Sequence, residues 1–303
     1  MGRIRLHEVG PRDGLQIEAA IVPTETKERW IRALAACGLD MVQVGSFVHP
    51  AKVPQMADTD ELFGRLLADP PPRACLSGLV LNERGLERAL ACGVPLICMG
   101  VSASETHSRR NTGMGTDEAL GRILAMAQAA RAAGRQVQVS VQSAFGCGFE
   151  GPIPSSRVLA IVDRYLEAGL RQISLADTAG HACPPQVERL FGEILRRDPE
   201  ADCACHFHNT YGLGMANIYA ALRAGVTLVE TSMAGLGGCP FTKVAAGNVA
   251  TEDFVHALQR DGQRLDIDLQ GLIALAREAA ATFGRALEGY VYKTGPIAPA
   301  ERP

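Results

Sequence analysis

Two histidines stand two residues apart in the segment 202–208, DCACHFH. Successive side chains of an extended strand alternate faces, so His206 and His208 share one face and Cys203 and Cys205 share the other. Two imidazoles on one face are an ordinary beginning of a metal site. For this pair alone, two core histidines bonded to backbone are an equal alternative. The C-A-C spacing is a poor metal motif and reads as two small buried hydrophobes. Near the start of the chain, EVGPRDGLQIE (8–18) sets Arg12 beside Asp13 just after an apolar run. As an exposed ion pair this would stabilise little. Asp13, Asp177 and Asn248 fall, like the histidines, at the ends of β-rich runs. One carboxylate, one amide oxygen and two imidazoles make a mostly hard N/O donor set. It suits Mg²⁺ or Mn²⁺, with Zn²⁺ or Co²⁺ as substitutes, and leaves two octahedral positions for substrate oxygens or water. The Arg12 guanidinium beside such an ion could stabilise oxygen charge in a transition state. Cys239 sits in G-L-G-G-C-P, a loop able to move and to carry a thiol to a substrate; a structural buried thiol is its alternative.

The elements that must position these groups recur along the chain. Short β-rich runs lie at 3–9, 41–46, 73–80, 95–103, 136–143, 172–178, 202–208 and 227–233. Between them, alanine- and leucine-rich helical patterns cover 24–37, 84–92, 117–133, 156–168, 185–197 and 214–224, and several stop at a glycine (AACGLD, ACGVP, AAGRQ, EAGLRQ, RAGVT). Eight strands alternating with helices predict an α/β fold, a (β/α)8 TIM barrel. An open doubly wound sheet fits less well, because no G-x-G-x-x-G opens the first helix. The chain is expected to form a single domain over 1–303, with about 253–303, including the helical stretch 268–287, as a C-terminal helical extension. In such a barrel the chemistry belongs at the C-terminal ends of the strands. Gln43, Ser46 and Lys243 also fall there, as does SASETHSRRNTGMG, read as a long loop with His107, Arg109 and Arg110. His7 reads as a core or supporting group, and His49 and His181 as loop residues.

Composition narrows the field. Hydrophobic residues make up 47% of the 303 and aromatics only 5%, so the core must be aliphatic. A net charge of −3 offers no polybasic surface for nucleic acid or anionic lipid. The nine cysteines are odd in number and lie mostly in aliphatic segments, which predicts reduced thiols in a cytosolic or organelle-matrix protein. The N-terminus lacks a signal-peptide core, and no apolar run is long enough to span a bilayer, so a cytoplasmic protein is expected.

The stretches VGPRDGLQ (9–16), SFVHPAKVPQMAD (46–58), SLADTAG (174–180), HFHNTYG (206–212), AGLGGCPF and AAGNVATED (within 234–253) together resemble the 3-hydroxy-3-methylglutaryl-CoA lyase family over nearly the whole chain. The resemblance implies a divalent-metal-dependent retro-Claisen cleavage of an acyl-CoA. It implies Asp13, His206, His208 and Asn248 as metal ligands, Arg12 as catalytic arginine, Asp177 as the acidic catalytic residue and Cys239 as the cysteine of a mobile loop; the base and the acid stay open among Asp177, Cys239, His206 and bound water. Two departures fall where the acyl part should sit. Gln43 replaces the glutamate the family commonly carries, and the loop after Cys239 reads PFTKVAAGN, with Lys243. The expected substrate is 3-hydroxy-3-methylglutaryl-CoA. The alternatives are a related thioester such as citramalyl-CoA, a condensing acyltransferase, and an inactive barrel that binds acyl-CoA or a partner. Barrels of this kind often dimerise, and a homodimer is carried as an expectation.

Overall fold

The computed structural model describes residues 2–238 and 247–297. Eight parallel strands close into one barrel in sequential order: β1 (Arg5–Glu8), β2 (Met41–Ser46), β3 (Cys75–Leu79), β4 (Leu96–Ser102), β5 (Gln136–Gln142), β6 (Gln172–Asp177), β7 (Asp202–Phe207) and β8 (Leu228–Thr231). The first and last strands pair in parallel, from Arg5 with Leu228 to Glu8 with Thr231. The helices are α1 (Thr24–Ala36), α2 (Thr59–Ala68), α3 (Glu83–Ala91), α4 (Glu105–Thr112), α5 (Thr116–Ala132), α6 (Ser155–Glu167), α7 (Pro184–Arg197) and α8 (Gly214–Arg223), followed by α9 (Thr251–Arg260), α10 (Leu269–Phe283) and α11 (Val291–Thr294).

Every expected strand is present, trimmed by at most two residues at an end. Two helices were not expected. The segment read as a long loop with His107, Arg109 and Arg110 contains α4, capped by the Ser104 side chain on the His107 N–H and ended by Gly113 in the left-handed conformation. Its sequence, ETHSRRNT, has no apolar stripe to announce a helix. The other is α2, which follows a short 3-10 turn at Pro54–Met56.

Strand alternation sorts the side chains into two compartments. Ile97, Val139, Leu175, Cys203, Cys205 and Val229 face the helices in the main aliphatic core. Met41, Leu79, Leu96, Cys98, Ala204 and Leu228 form a separate cluster inside the barrel. The pairing of Cys203 with Cys205, opposite His206 and His208, follows from the two-residue period. All eight described cysteines are free thiols. Among the described residues, no helix is long and apolar enough to cross a membrane.

The C-terminal extension locks both ends of the barrel. Beneath β1, the buried Arg264 donates through Nη1 to the Ile4 carbonyl (2.7 Å) and Asp40 Oδ2 (2.7 Å), and through Nη2 to the Gly38 carbonyl (3.1 Å). Asp40 Oδ2 also accepts the Leu6 N–H at 2.9 Å. At the opposite end, Glu8 accepts the N–H groups of Gly10 and Met233 and the Thr251 hydroxyl, while Glu252 accepts the Ala234 N–H. Burial pushes Glu8 up to about 7, against these hydrogen bonds, and pushes Glu252 up to about 8 against its Ala234 bond.

Replacing Arg264 with Ala removes the buried cation from Asp40 and the donor from two carbonyls, and should lower the unfolding free energy by about 3 kcal/mol, measured by urea denaturation. The two buried glutamates also set a pH dependence. A carboxyl whose folded pKa lies above its unfolded value favours the fold fully below that unfolded value, near 4.3. That contribution is lost as pH rises through the folded values of about 7 and about 8. Stability should therefore fall between about pH 5 and pH 8.5, each group contributing at most about 1.4 kcal/mol per pH unit. Glu252→Gln should flatten the upper part of that decline in melting temperature measured from pH 6 to 9.

Candidate metal centre

The first strand does not end in an open loop. Gly10–Gly14 forms a π-helical turn in which the Val9 carbonyl accepts the N–H groups of Asp13 (2.7 Å), Arg12 (3.1 Å) and Gly14 (3.4 Å). This wide turn holds two adjacent side chains at the barrel mouth. A Cβ on Gly14 would lie 2.8 Å from Leu236 Cβ, so the turn packs directly on the segment after β8. Arg12 Nη1 donates to Asp13 Oδ1 at 2.7 Å, and Arg12 Nε is buried without an acceptor among the described residues.

His206 and His208 project from β7 and its continuation with their Nε2 atoms 3.2 Å apart. Each Nε2 lies 3.9 Å from Asp13 Oδ2. The fourth expected ligand arrives on a separate segment threaded between the ends of β7 and β8. His208 and Asn248 form an isolated antiparallel bridge, and Ser232 and Ala250 a parallel one. This threading leaves no room at Gly247, whose Cβ would stand 1.7 Å from the Gly235 carbonyl oxygen. Asn248 Nδ2 donates to Asp13 Oδ2 (2.8 Å) and to the Leu236 carbonyl (3.1 Å), while its Oδ1 is buried without a partner among the described residues.

A divalent cation fits this arrangement. Ligand atoms of Asp13, His206 and His208 all lie within 4.8 Å of one another. Around an octahedral ion with bonds near 2.1 Å, ligand atoms lie about 3 Å apart when cis and about 4.2 Å when trans. The observed spacings fall in this range. The buried Asn248 Oδ1 supplies an acceptor that a cation would satisfy, since a buried polar atom left unpaired is costly. Burial alone would raise the Asp13 pKa; the Arg12 guanidinium, both imidazoles and the Asn248 amide outweigh it and hold Asp13 down to about 2.

The centre opens into a cavity of about 740 Å³ at the C-terminal ends of the strands, lined by Arg12, Asp13, His206, His208, Gln43 and Glu230 among others. Asp177 is set apart. Ser174, Ala176 and Thr178 line the cavity, but Asp177 does not. It is fully buried, and its two oxygens accept the N–H groups of His181 (2.8 Å) and Ala182 (3.1 Å). Burial pushes its pKa up to about 6 despite these bonds. His7 is buried with Nε2 2.7 Å from Ser77 Oγ, in keeping with a supporting role, and His49 is exposed. Cys239 and Lys243 lie outside the described residues.

One residue escaped the reading of the sequence. Glu230 lies in the apolar run TLVETSM, and its neighbours decide its importance. The barrel register pairs it with His7 on one side and His206 on the other. Its Oε2 lies 3.1 Å from His206 Nδ1. The available signal was phase: Glu230 is two residues from Leu228, which faces the barrel interior.

Comparison with known proteins follows this geometry. The HMGL-like family model matches residues 3–278. The chain is 36% identical over 285 residues to the hydroxymethylglutaryl-CoA lyase YngG of Bacillus subtilis, covering 94% of this chain and 95% of that protein. It is 37% identical over 307 residues to the (R)-citramalyl-CoA lyase of Chloroflexus aurantiacus, covering 99% and 97%. A solved HMG-CoA lyase from Acinetobacter baumannii, in complex with coenzyme A and 3-methylmalate, superposes with a TM-score of 0.92 at 35% identity, covering 99% of this chain and 97% of that one.

Mn²⁺ should raise the unfolding free energy by about 2.7 kcal/mol when free metal is a hundredfold above its dissociation constant. In Asp13→Asn and His208→Ala, the shift of melting temperature at that same Mn²⁺ concentration should largely disappear; an undiminished shift in both would show that the ligands lie elsewhere.

Proposed function

Since the chain belongs to the HMGL-like family of carbon–carbon lyases, we propose that it cleaves 3-hydroxy-3-methylglutaryl-CoA to acetoacetate and acetyl-CoA, using bound Mg²⁺ or Mn²⁺. The observation that carries this reading is the convergence of Arg12, Asp13, His206, His208 and Asn248 beside one cavity. The coenzyme A in the related Acinetobacter structure supports a thioester substrate. The free cysteines support a reducing, cytoplasmic setting.

Asp13, His206, His208 and Asn248 would hold the ion. When bound, it supplies Lewis-acid polarisation of substrate oxygens. The remaining work falls to the protein. The substrate's hydroxyl must lose a proton as the bond between C2 and C3 breaks, with the electron pair passing into the thioester enolate. Arg12 would stabilise that developing charge. Asp13 occupies one of its guanidinium nitrogens, while the buried Nε lacks a protein acceptor among the described residues. A group titrating near neutrality suits proton exchange. Asp177 enters as an acid–base candidate on the family resemblance; burial pushes its pKa up to about 6, but it lies outside the cavity lining and its oxygens hold the loop after β6. Cys239 enters as the second acid–base group on the family resemblance.

A second reading keeps the chemistry and changes the acyl group. The citramalyl-CoA lyase of Chloroflexus aurantiacus matches this chain as well as the hydroxymethylglutaryl-CoA lyases do. The neutral Gln43 also lies in the cavity wall. Cleavage of citramalyl-CoA would release pyruvate with acetyl-CoA.

Incubation with Mg²⁺ and each thioester, with acetoacetate and pyruvate assayed separately, decides between the readings. Acetoacetate supports the first, pyruvate the second, and no product from either thioester overturns both. Arg12→Met should keep Mn²⁺ affinity while kcat falls by about 10²–10³-fold, the typical loss on removing one oxyanion donor; unchanged kcat would remove Arg12 from the mechanism.

A further inference from the structure

Glu230 is a buried carboxylate that the reaction above does not use. Its surroundings give it a defined orientation. Gln138 Nε2 donates to Glu230 Oε1 at 3.1 Å, and the Cys98 thiol donates to Gln138 Oε1 at 3.3 Å. The thiol thus takes the amide oxygen and leaves the amide N–H facing the carboxylate. The other oxygen, Oε2, lies 3.1 Å from His206 Nδ1, across the β7–β8 rung that pairs the two residues. His7 approaches from the other flank, with Nδ1 3.8 Å from Oε1.

A carboxylate at this distance from an imidazole Nδ1 requires a proton on that nitrogen. In the neutral ring, Nε2 then carries the lone pair. It is Nε2 that faces Asp13 and His208. We infer that Glu230, held in place by Gln138, is a positioning residue that fixes the tautomer and ring orientation of His206 and thereby sets the affinity of the centre for its divalent cation. The inference rests on the metal reading proposed above and adds a carboxylate behind the ligands. Such a partner keeps a ligating ring aimed and makes it more basic.

The test measures Mn²⁺ binding by titration calorimetry on the full chain. Glu230→Met keeps the side-chain length and removes the acceptor, and should weaken Mn²⁺ binding by about 10–100-fold. Glu230→Gln keeps an acceptor without the charge and should fall between wild type and Glu230→Met. Gln138→Leu should lose less, and should add nothing to Glu230→Met, because Gln138 acts only through the carboxylate. A second readout is the ¹⁵N shift of the His206 ring in Mg²⁺-loaded protein. It should report a single Nδ1–H form in wild type and lose that preference in Glu230→Met, a change that a merely structural role would not produce. Tight wild-type binding that is unchanged in Glu230→Met overturns this inference alone. Wild-type protein that takes up no Mn²⁺ overturns the metal reading and this inference with it.

Discussion

The constraint on which the rest of the site depends is the burial of the Asp13 carboxylate. A charge removed from water must be compensated nearby. Here the compensation comes from its chain neighbour Arg12, from His206 on β7 and His208 just past its end, and from Asn248 on the segment after β8. No local stretch of chain could provide these groups together. The π-helical turn, the tight glycine contacts and the segment threaded between β7 and β8 all bring them within a few ångströms of one carboxylate.

The barrel separates stability from chemistry along its axis. One interior layer is an apolar plug of Met41, Leu79, Leu96, Cys98, Ala204 and Leu228. Arg264 closes the N-terminal side with bonds to backbone carbonyls and Asp40. Above the plug the interior turns polar, with His7, Gln138, His206 and Glu230 in mutual reach. This division is the usual one for the fold, in which loops at the C-terminal face can vary while the opposite face maintains the scaffold.

The sequence made the strands legible because each is a short β-rich run, and the glycines after five helices mark where those helices stop; Gly38 and Gly225, for example, have φ of 96° and 105°. The metal-ligand candidates were legible as polar residues at strand ends. Helix α4 was hidden because its eight residues are almost all polar, so no apolar period could appear. Glu230 was hidden because a single acid in an apolar strand shows only its phase, and its role stays invisible until its rung neighbours are known. Asp177 shows the reverse. It sits at a strand end, as expected of a catalytic residue, yet the alternation that turns Ser174 and Ala176 into the cavity leaves Asp177 out of its lining. Position along a strand is visible in sequence, whereas the face a residue takes depends on the closed barrel.

The seam between β1 and β8 joins residues more than two hundred positions apart. Asp13 follows the first strand of that seam and Asn248 the last, so the candidate ligands come together as a set only after the ring has shut. An emerging or truncated chain has no preformed nest for a cation. Any affinity for a cation there therefore acts as a clasp on the strand pairing that spans the longest stretch of chain in the barrel.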